Sequence, residues 1–192
     1  INGDAFGITV NLSSDGNRMA VGAIYHDGNG YDAGQVKIYE WNGINWVQLG
    51  QNINGETAED IFGWSISLSS NGERLAIGAP LNDGNGGGAG HVRVYDWNGN
   101  TWVQIGQDIE GQAAADLFGR SVSLSADGTR LAIGAEGNDD NGTNAGHVRI
   151  FELENSISRC SMIPLTLHHV IIIHGHKTIK LIRAQDSIRT QY

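Results

Sequence analysis

Three short runs carry the residues best suited to chemistry: His26-Asp27-Gly28-Asn29-Gly30, Asn82-Asp83-Gly84-Asn85-Gly86 and Asn138-Asp139-Asp140-Asn141-Gly142. Asp27, Asp83 and Asp139 stand in register, as do Asn29, Asn85 and Asn141. Side-chain oxygens at alternate positions of a glycine-rich loop are donors of the kind Ca²⁺ takes, and the ion needs roughly 6–8 of them. Each run supplies two or three and lacks a fixed bidentate Glu. Asp-Gly and Asn-Gly also make turns unaided, because both residues tolerate positive φ. Turn formation is the weightier reading, so no cofactor is expected. Ca²⁺ on these six residues is the metal chemistry the loops offer.

The other candidates read as structural. His91 and His147 hold the place of Gln35, and Gln cannot replace a metal ligand or a proton shuttle, so a structural hydrogen bond is expected there. His168, His169, His174 and His176 are transition-metal ligand types without a second ligand set. Ser13, Ser69 and Ser125 recur beside turns, and no nucleophile–base pairing stands out. The glycine-rich runs lead from strand to strand, whereas a phosphate cradle needs a helix start. Trp41 and Trp46, like Trp97 and Trp102, flank four-residue turns. They are placed to face each other across a hairpin rather than to stack on a sugar ring. Asn11-Leu12-Ser13 and Asn141-Gly142-Thr143 fit the glycosylation acceptor pattern, a pattern that also arises by chance.

These candidates recur because the chain does. Phe6-Gly7 returns as Phe62-Gly63 and Phe118-Gly119, a period of 56 residues. Gly22-Ala23 returns as Gly78-Ala79 and Gly134-Ala135, and Val36 as Val92 and Val148. Modules repeated in register stabilise one another by stacking. A repeat supplies like residues, whereas a catalytic centre needs unlike residues to converge.

One unit reads as four strands. Residues 64–69 alternate large apolar side chains with Ser, the period of a β-strand. Asn71-Gly72 turns the chain into a second strand at 74–79. A glycine-rich loop leads to a third at 91–97, and Asn98-Gly99-Asn100-Thr101 to a fourth at 102–105. Four antiparallel strands at this period match one blade of a β-propeller, with the Ser-faced strand innermost where blades converge. The expected fold is all-β, a partial β-propeller of three four-stranded antiparallel blades at about 1–52, 53–108 and 109–154. An unrelated tail follows at 155–192, either without structure of its own or an artefact of the gene model.

Composition supports the division. Residues 1–156 hold seven Lys/Arg against twenty Asp/Glu, and residues 157–192 hold five against one. The overall charge of −9 hides that change of sign. An acidic body argues against nucleic acid or an anionic membrane as partner. No apolar run approaches the roughly 20 residues of a membrane helix. One Cys excludes a disulfide framework. Ile1 aligns with Thr57 inside a repeat, which reads as a fragment or a truncated gene model.

Phe62-Gly63-Trp64-Ser65, followed by Leu75-Ala76-Ile77-Gly78-Ala79-Pro80, resembles the FG-GAP repeat. That repeat builds the propeller heads of integrin α-subunits and many secreted or surface proteins. The likeness extends over three copies, with Ile24 and Glu136 where the middle copy has Pro80. The calcium loop common between the family's first two strands is replaced by short turns such as Ser69-Ser70-Asn71-Gly72. The resemblance implies a non-enzymatic recognition or adhesion scaffold, extracellular or at the cell surface. It would bind protein or glycan through rim loops and need further blades to close its ring. The rival readings are a non-catalytic part of a secreted polysaccharide-active enzyme and a truncated product without function of its own. An unmatched acid or His cluster in one blade would favour the enzyme.

Overall fold

A computed structural model describes residues 3–153 and, as backbone, two further strands at 169–173 and 179–183. The first unit forms β1 (Thr9–Leu12), β2 (Arg18–Ala23), β3 (Gln35–Trp41), β4 (Trp46–Gln48) and β5 (Ile53–Asn54). The second forms β6 (Ser65–Leu68), β7 (Arg74–Ala79), β8 (His91–Trp97), β9 (Trp102–Gln104) and β10 (Ile109–Glu110). The third holds β11 (Ser121–Leu124), β12 (Arg130–Ala135) and β13 (His147–Glu152). Every strand pair is antiparallel, in the order β1-β2-β3-β4 and β6-β7-β8-β9, with the two-residue β5 and β10 on the outer strands β3 and β8. The expectation of all-β blades is met, and the described residues contain no helix.

Turn chemistry sets each hairpin. Asp15 Oδ1 accepts the Ser13 hydroxyl at 2.6 Å and the Asn17 N–H at 3.0 Å. Asn71 and Asp127 take the same place in the other units. Asn42 and Asn98 accept two N–H groups each across the outer turns, Asn98 from Asn100 and Thr101 at 2.9 Å. The Trp pairs then oppose each other in register, with ring centroids 5.7 Å apart for Trp41–Trp46 and 5.5 Å for Trp97–Trp102.

The core lies between blades. Ala20, Val36, Ile38 and Ile53 of the first unit pack on Phe62, Leu68, Leu75, Ile77, Tyr95 and Trp102 of the second. Ala76, Val92, Val94 and Ile109 repeat this against Phe118, Leu131, Ile133 and Phe151 of the third. Burying a large apolar side chain of this kind contributes about 1.5–3 kcal/mol. The innermost strands β1, β6 and β11 run side by side. Their Ser/Thr face bonds the next blade, Thr9 Oγ1 to Gly63 O at 2.6 Å and Ser65 Oγ to Gly119 O at 2.7 Å. The Gly-Ala motif follows from the same approach. A Cβ on Gly78 would stand 2.1 Å from Gly119 O, and one on Gly22 2.6 Å from Gly63 O.

The third sheet includes two strands from the stretch beyond residue 155. β14 (His169–Ile173) pairs antiparallel with β13, from Val148↔Ile173 to Phe151↔Val170, and β15 (Ile179–Arg183) pairs with β14. The run at 170–173 thus pairs with the edge of β13 opposite β12. The loop between the two strands, with His174 and His176, and His168 lie outside the described residues.

Candidate binding cleft on the loop face

The acidic loops join the second and third strands of each blade, and their side chains close them. Asp27 Oδ1 accepts the Asp32 N–H at 2.9 Å, Asp83 that of Gly88 at 2.8 Å and Asp139 that of Asn144 at 2.6 Å. Each donor residue has positive φ, 51°, 63° and 51° in turn. Asn29 donates through Nδ2 to Gly55 O at 2.8 Å, and Asn85 to Gly111 O at 2.9 Å. The Asp thus clasps its own loop, and the Asn of the first two loops ties that loop to the linker entering the next blade. Asn141 holds the corresponding place in the third loop.

The linkers zip onto these loops. Glu59 N–H donates to Tyr31 O at 2.7 Å, Ile61 to Asp32 O at 3.1 Å and Phe62 to Ala33 O at 3.1 Å. Ala115, Leu117 and Phe118 repeat the pattern on Gly87, Gly88 and Ala89. The zipper forces left-handed backbone on residues other than Gly: Glu59 at 69°, Ile61 at 49°, Ala115 at 63° and Leu117 at 54°. A β-branched residue there is a genuine outlier, and such strain costs on the order of 1–3 kcal/mol and clusters where proteins bind.

Three of these residues, Glu59, Ile61 and Leu117, line a cleft of about 440 Å³ across the three blades. Tyr25, Tyr31, Pro80 and Leu81 form apolar walls together with Ile61 and Leu117. Tyr31 and Leu81 are exposed, and Asp32, Glu59 and Glu136 supply acid groups. The charge of Asp32 raises the Tyr31 phenol above its usual range. Trp64 and Arg120 occupy equivalent positions in successive blades, yet they meet. The guanidinium carbon lies 4.0 Å from the centroid of the Trp64 ring, and its Nε is 3.0 Å from Glu136 Oε1. Glu136 is the residue standing where the middle unit has Pro80. The departure from the repeat therefore builds part of the cleft.

A second group gathers on β8 and the segments that flank the second blade. Arg93 bonds Asp108 Oδ2 at 3.0 and 2.7 Å and pairs with Glu56. Gln104 Nε2 holds the other Asp108 oxygen at 2.7 Å. Burial opposes ionisation of Asp108, but the Arg93 hydrogen bonds and charge outweigh it and its pKa is lowered. Donor atoms of Glu56, His91 and Asp108 lie within 4.8 Å of one another. A metal ion would have to displace the guanidinium that already bridges the two carboxylates, so the group is an ion-pair network. His91 differs from expectation. It packs edge-on to Phe62 at 6.4 Å, and neither ring nitrogen finds a hydrogen-bond partner in the described structure. Asp108 Oδ2 is 3.9 Å away, beyond hydrogen-bond reach. Burial first, then the Arg93 charge, hold its pKa down at about 4. Asp60 and Asp116 are buried and take Asn82 and Asn138 Nδ2 at 3.1 Å each.

Sequence reasoning found the loops and missed the cleft and the Arg93 network. The available signal was contrast within the register: Ile8, Trp64 and Arg120 at one position, and Lys37, Arg93 and Arg149 at another.

Residues 54–95 and 110–151 match the family model of the FG-GAP repeat. The matches take in the second and third units. The first unit, also read as a copy, lies outside them although its strands keep the same order. Comparison with curated proteins gives no match. Among solved structures, a candidate 6-phosphogluconolactonase from Bacteroides uniformis aligns over 91% of this chain and 49% of its own, at 15% identity and a TM-score of 0.50. The β-propeller domain of Myceliophteria thermophila Cps50 (Swd1) aligns over 94% and 52%, at 12% identity and a TM-score of 0.47. The chain thus spans about half the length of these two structures. At such identity the likeness concerns the fold alone. The two family matches make the second and third units FG-GAP repeats, and the repeated, stacked antiparallel sheets are β-propeller blades.

Proposed function

We propose that this chain is a non-enzymatic recognition scaffold, acting outside the cell or at its surface, that binds a protein segment in the cleft on its loop face. The cleft is the observation that carries the reading. Backbone strain is held there by a zipper of linker hydrogen bonds, and exposed Tyr31 and Leu81 flank it. Rim loops on a rigid blade scaffold are where function of this kind resides. A peptide suits the site better than a sugar, because Arg120 already covers a face of the Trp64 ring that a sugar would need. Three acids against one Arg favour a segment that pairs an apolar side chain with Lys or Arg. No helix among the described residues is long and apolar enough to cross a membrane.

The test is selection from a displayed random-peptide library, followed by titration of the recovered peptides and of a glycan panel. Peptides carrying basic and apolar residues are expected, with affinity at least tenfold weaker for Tyr31→Ala and Leu81→Ala. Both side chains are exposed, so their loss leaves the core intact. Recovery of glycans only, or binding unchanged in both variants, refutes the reading.

A further inference from the structure

An asparagine followed by glycine can react with itself. The glycine nitrogen is unhindered and close along the chain to the asparagine carboxamide, so its attack closes a five-membered ring. Asn-Gly recurs along this chain, and at most steps the fold takes the nucleophile away. The Gly30, Gly86 and Gly142 N–H groups donate to the main-chain carbonyls of Asp27, Asp83 and Asp139 at 3.3, 3.0 and 3.0 Å. Gly55 donates to Gly34 O at 2.8 Å and Gly72 to Ser69 O at 2.9 Å. Carboxamides are held as well, Asn29 and Asn85 on the linker carbonyls and Asn54 by Gln35 Nε2 at 2.8 Å.

The outer turns are the exception. Among the described residues, the N–H groups of Gly43 and Gly99 have no hydrogen-bond acceptor. Both glycines and the asparagines before them are exposed, and nothing stands within 4 Å of where a Cβ on either glycine would lie. The same turns prepare the carbon that is attacked. Asn42 Oδ1 accepts the Ile44 and Asn45 N–H groups at 2.9 Å each, and Asn98 Oδ1 those of Asn100 and Thr101 at 2.9 Å each. A bond to the residue two positions on closes a ring through the side chain and the intervening glycine amide, which folds the carboxamide carbon back toward that nitrogen. Two backbone donors on one oxygen are also what an oxyanion needs as that carbon becomes tetrahedral. Asn71 makes the first of these bonds, to the Glu73 N–H at 3.1 Å, but its glycine is engaged and its other donor is the Ser69 hydroxyl.

We propose that Asn42 and Asn98 are sites of self-modification. Solvent removes the glycine amide proton, the nitrogen bonds to Cγ, the Cγ–Nδ2 bond breaks, and Nδ2 leaves as ammonia with a proton from solvent. The succinimide then takes up one water. Opening at one carbonyl gives aspartate. Opening at the other gives isoaspartate, whose main chain runs through Cβ. Either product adds a negative charge to the turn. Isoaspartate also adds a main-chain atom to a turn that holds its Trp pair with ring centroids 5.7 or 5.5 Å apart. The reaction therefore loosens the paired rings as the molecule ages.

The test is incubation of the folded chain at mildly alkaline pH, in parallel with the chain unfolded in urea. Peptide mapping with mass and isoaspartate detection then gives the rate at each step. In the folded chain Asn42 and Asn98 are expected to keep pace with their own unfolded rates. Asn54, Asn71 and Asn85 are expected to fall roughly tenfold below theirs, because a hydrogen bond must first be broken. Protection of Asn42 and Asn98 equal to that of the other steps overturns the proposal, as does faster conversion at any of those others. Asn98→Asp supplies the charge without the added main-chain atom. Its near-ultraviolet tryptophan signal should match the fresh wild type, whereas that of the aged wild type should fall. An unchanged signal in the aged chain, or an equal fall in Asn98→Asp, overturns the effect on the paired rings.

Discussion

Gly78→Ala probes the contact on which the stack of blades depends. β7 and β12 have the same sequence, Arg-Leu-Ala-Ile-Gly-Ala, so Gly134→Ala is a matched control. In both strands the new Cβ meets a serine hydroxyl at 2.4 Å, Ser65 Oγ or Ser121 Oγ, which can rotate aside. Only at Gly78 does it also meet the next blade's backbone, Gly119 O at 2.1 Å and Gly119 C at 3.0 Å. Real Cβ contacts do not fall below 3.0 Å, so the blades must part by close to an ångström. Overpacking of this kind costs about 1–3 kcal/mol. The Ser65–Gly119 hydrogen bond goes with it, at about 0.5–1.5 kcal/mol. The loss of unfolded-state freedom on replacing Gly is common to both variants and cancels. The difference between them is then about 2–4 kcal/mol, or about 5–15 °C in melting midpoint for a chain of this size. Thermal melts followed at a β-sheet wavelength read it directly. Midpoints within a degree or two of each other would refute the close approach of the blades.

His91 gives a pH dependence with a definite sign. Its folded pKa of about 4 lies below the ordinary 6.5, so between these values the unfolded chain binds the proton and the folded chain does not. Stability is therefore lost as pH falls through that window, by about 3 kcal/mol in all. Asp60 and Glu110, raised by burial, act in the opposite sense, and His91→Gln isolates the imidazole by supplying the residue found at Gln35. The midpoint of the wild type should drop from pH 7 to 4.5 and that of His91→Gln should drop less; parallel curves contradict the assignment. Asp83→Ala should cost about 1–2 kcal/mol, because the Gly88 N–H loses its acceptor, equally with and without millimolar Ca²⁺. A Ca²⁺-induced rise in the wild-type midpoint that vanishes in Asp83→Ala would instead assign metal ligation to these loops.

The sequence by itself determined what local chemistry decides. Alternation of Ile66 and Leu68 with Ser65 and Ser67 makes a strand whatever surrounds it. Asn71 and Asn98 turn the chain with their own side chains, and a fixed period places each blade. The Phe-Gly and Gly-Ala motifs were legible as a repeat, but their purpose was not. Only stacking brings the Gly119 carbonyl onto Gly78. The cleft was hidden for the same reason. Trp64 and Arg120 are a full period apart, and they meet because each linker takes a left-handed turn at Ile61 and Leu117 while bonded to the preceding loop. The burial that leaves His91 without a partner, and Arg93 between Glu56 and Asp108, depends on the same approach of linker and blade. The pairing of β14 with β13 depends on an open strand edge that no composition reveals. Hydrogen bonds within a few residues follow from side-chain type. Contacts across a period follow from how far each blade rotates against the last, and that angle is a property of the packed core.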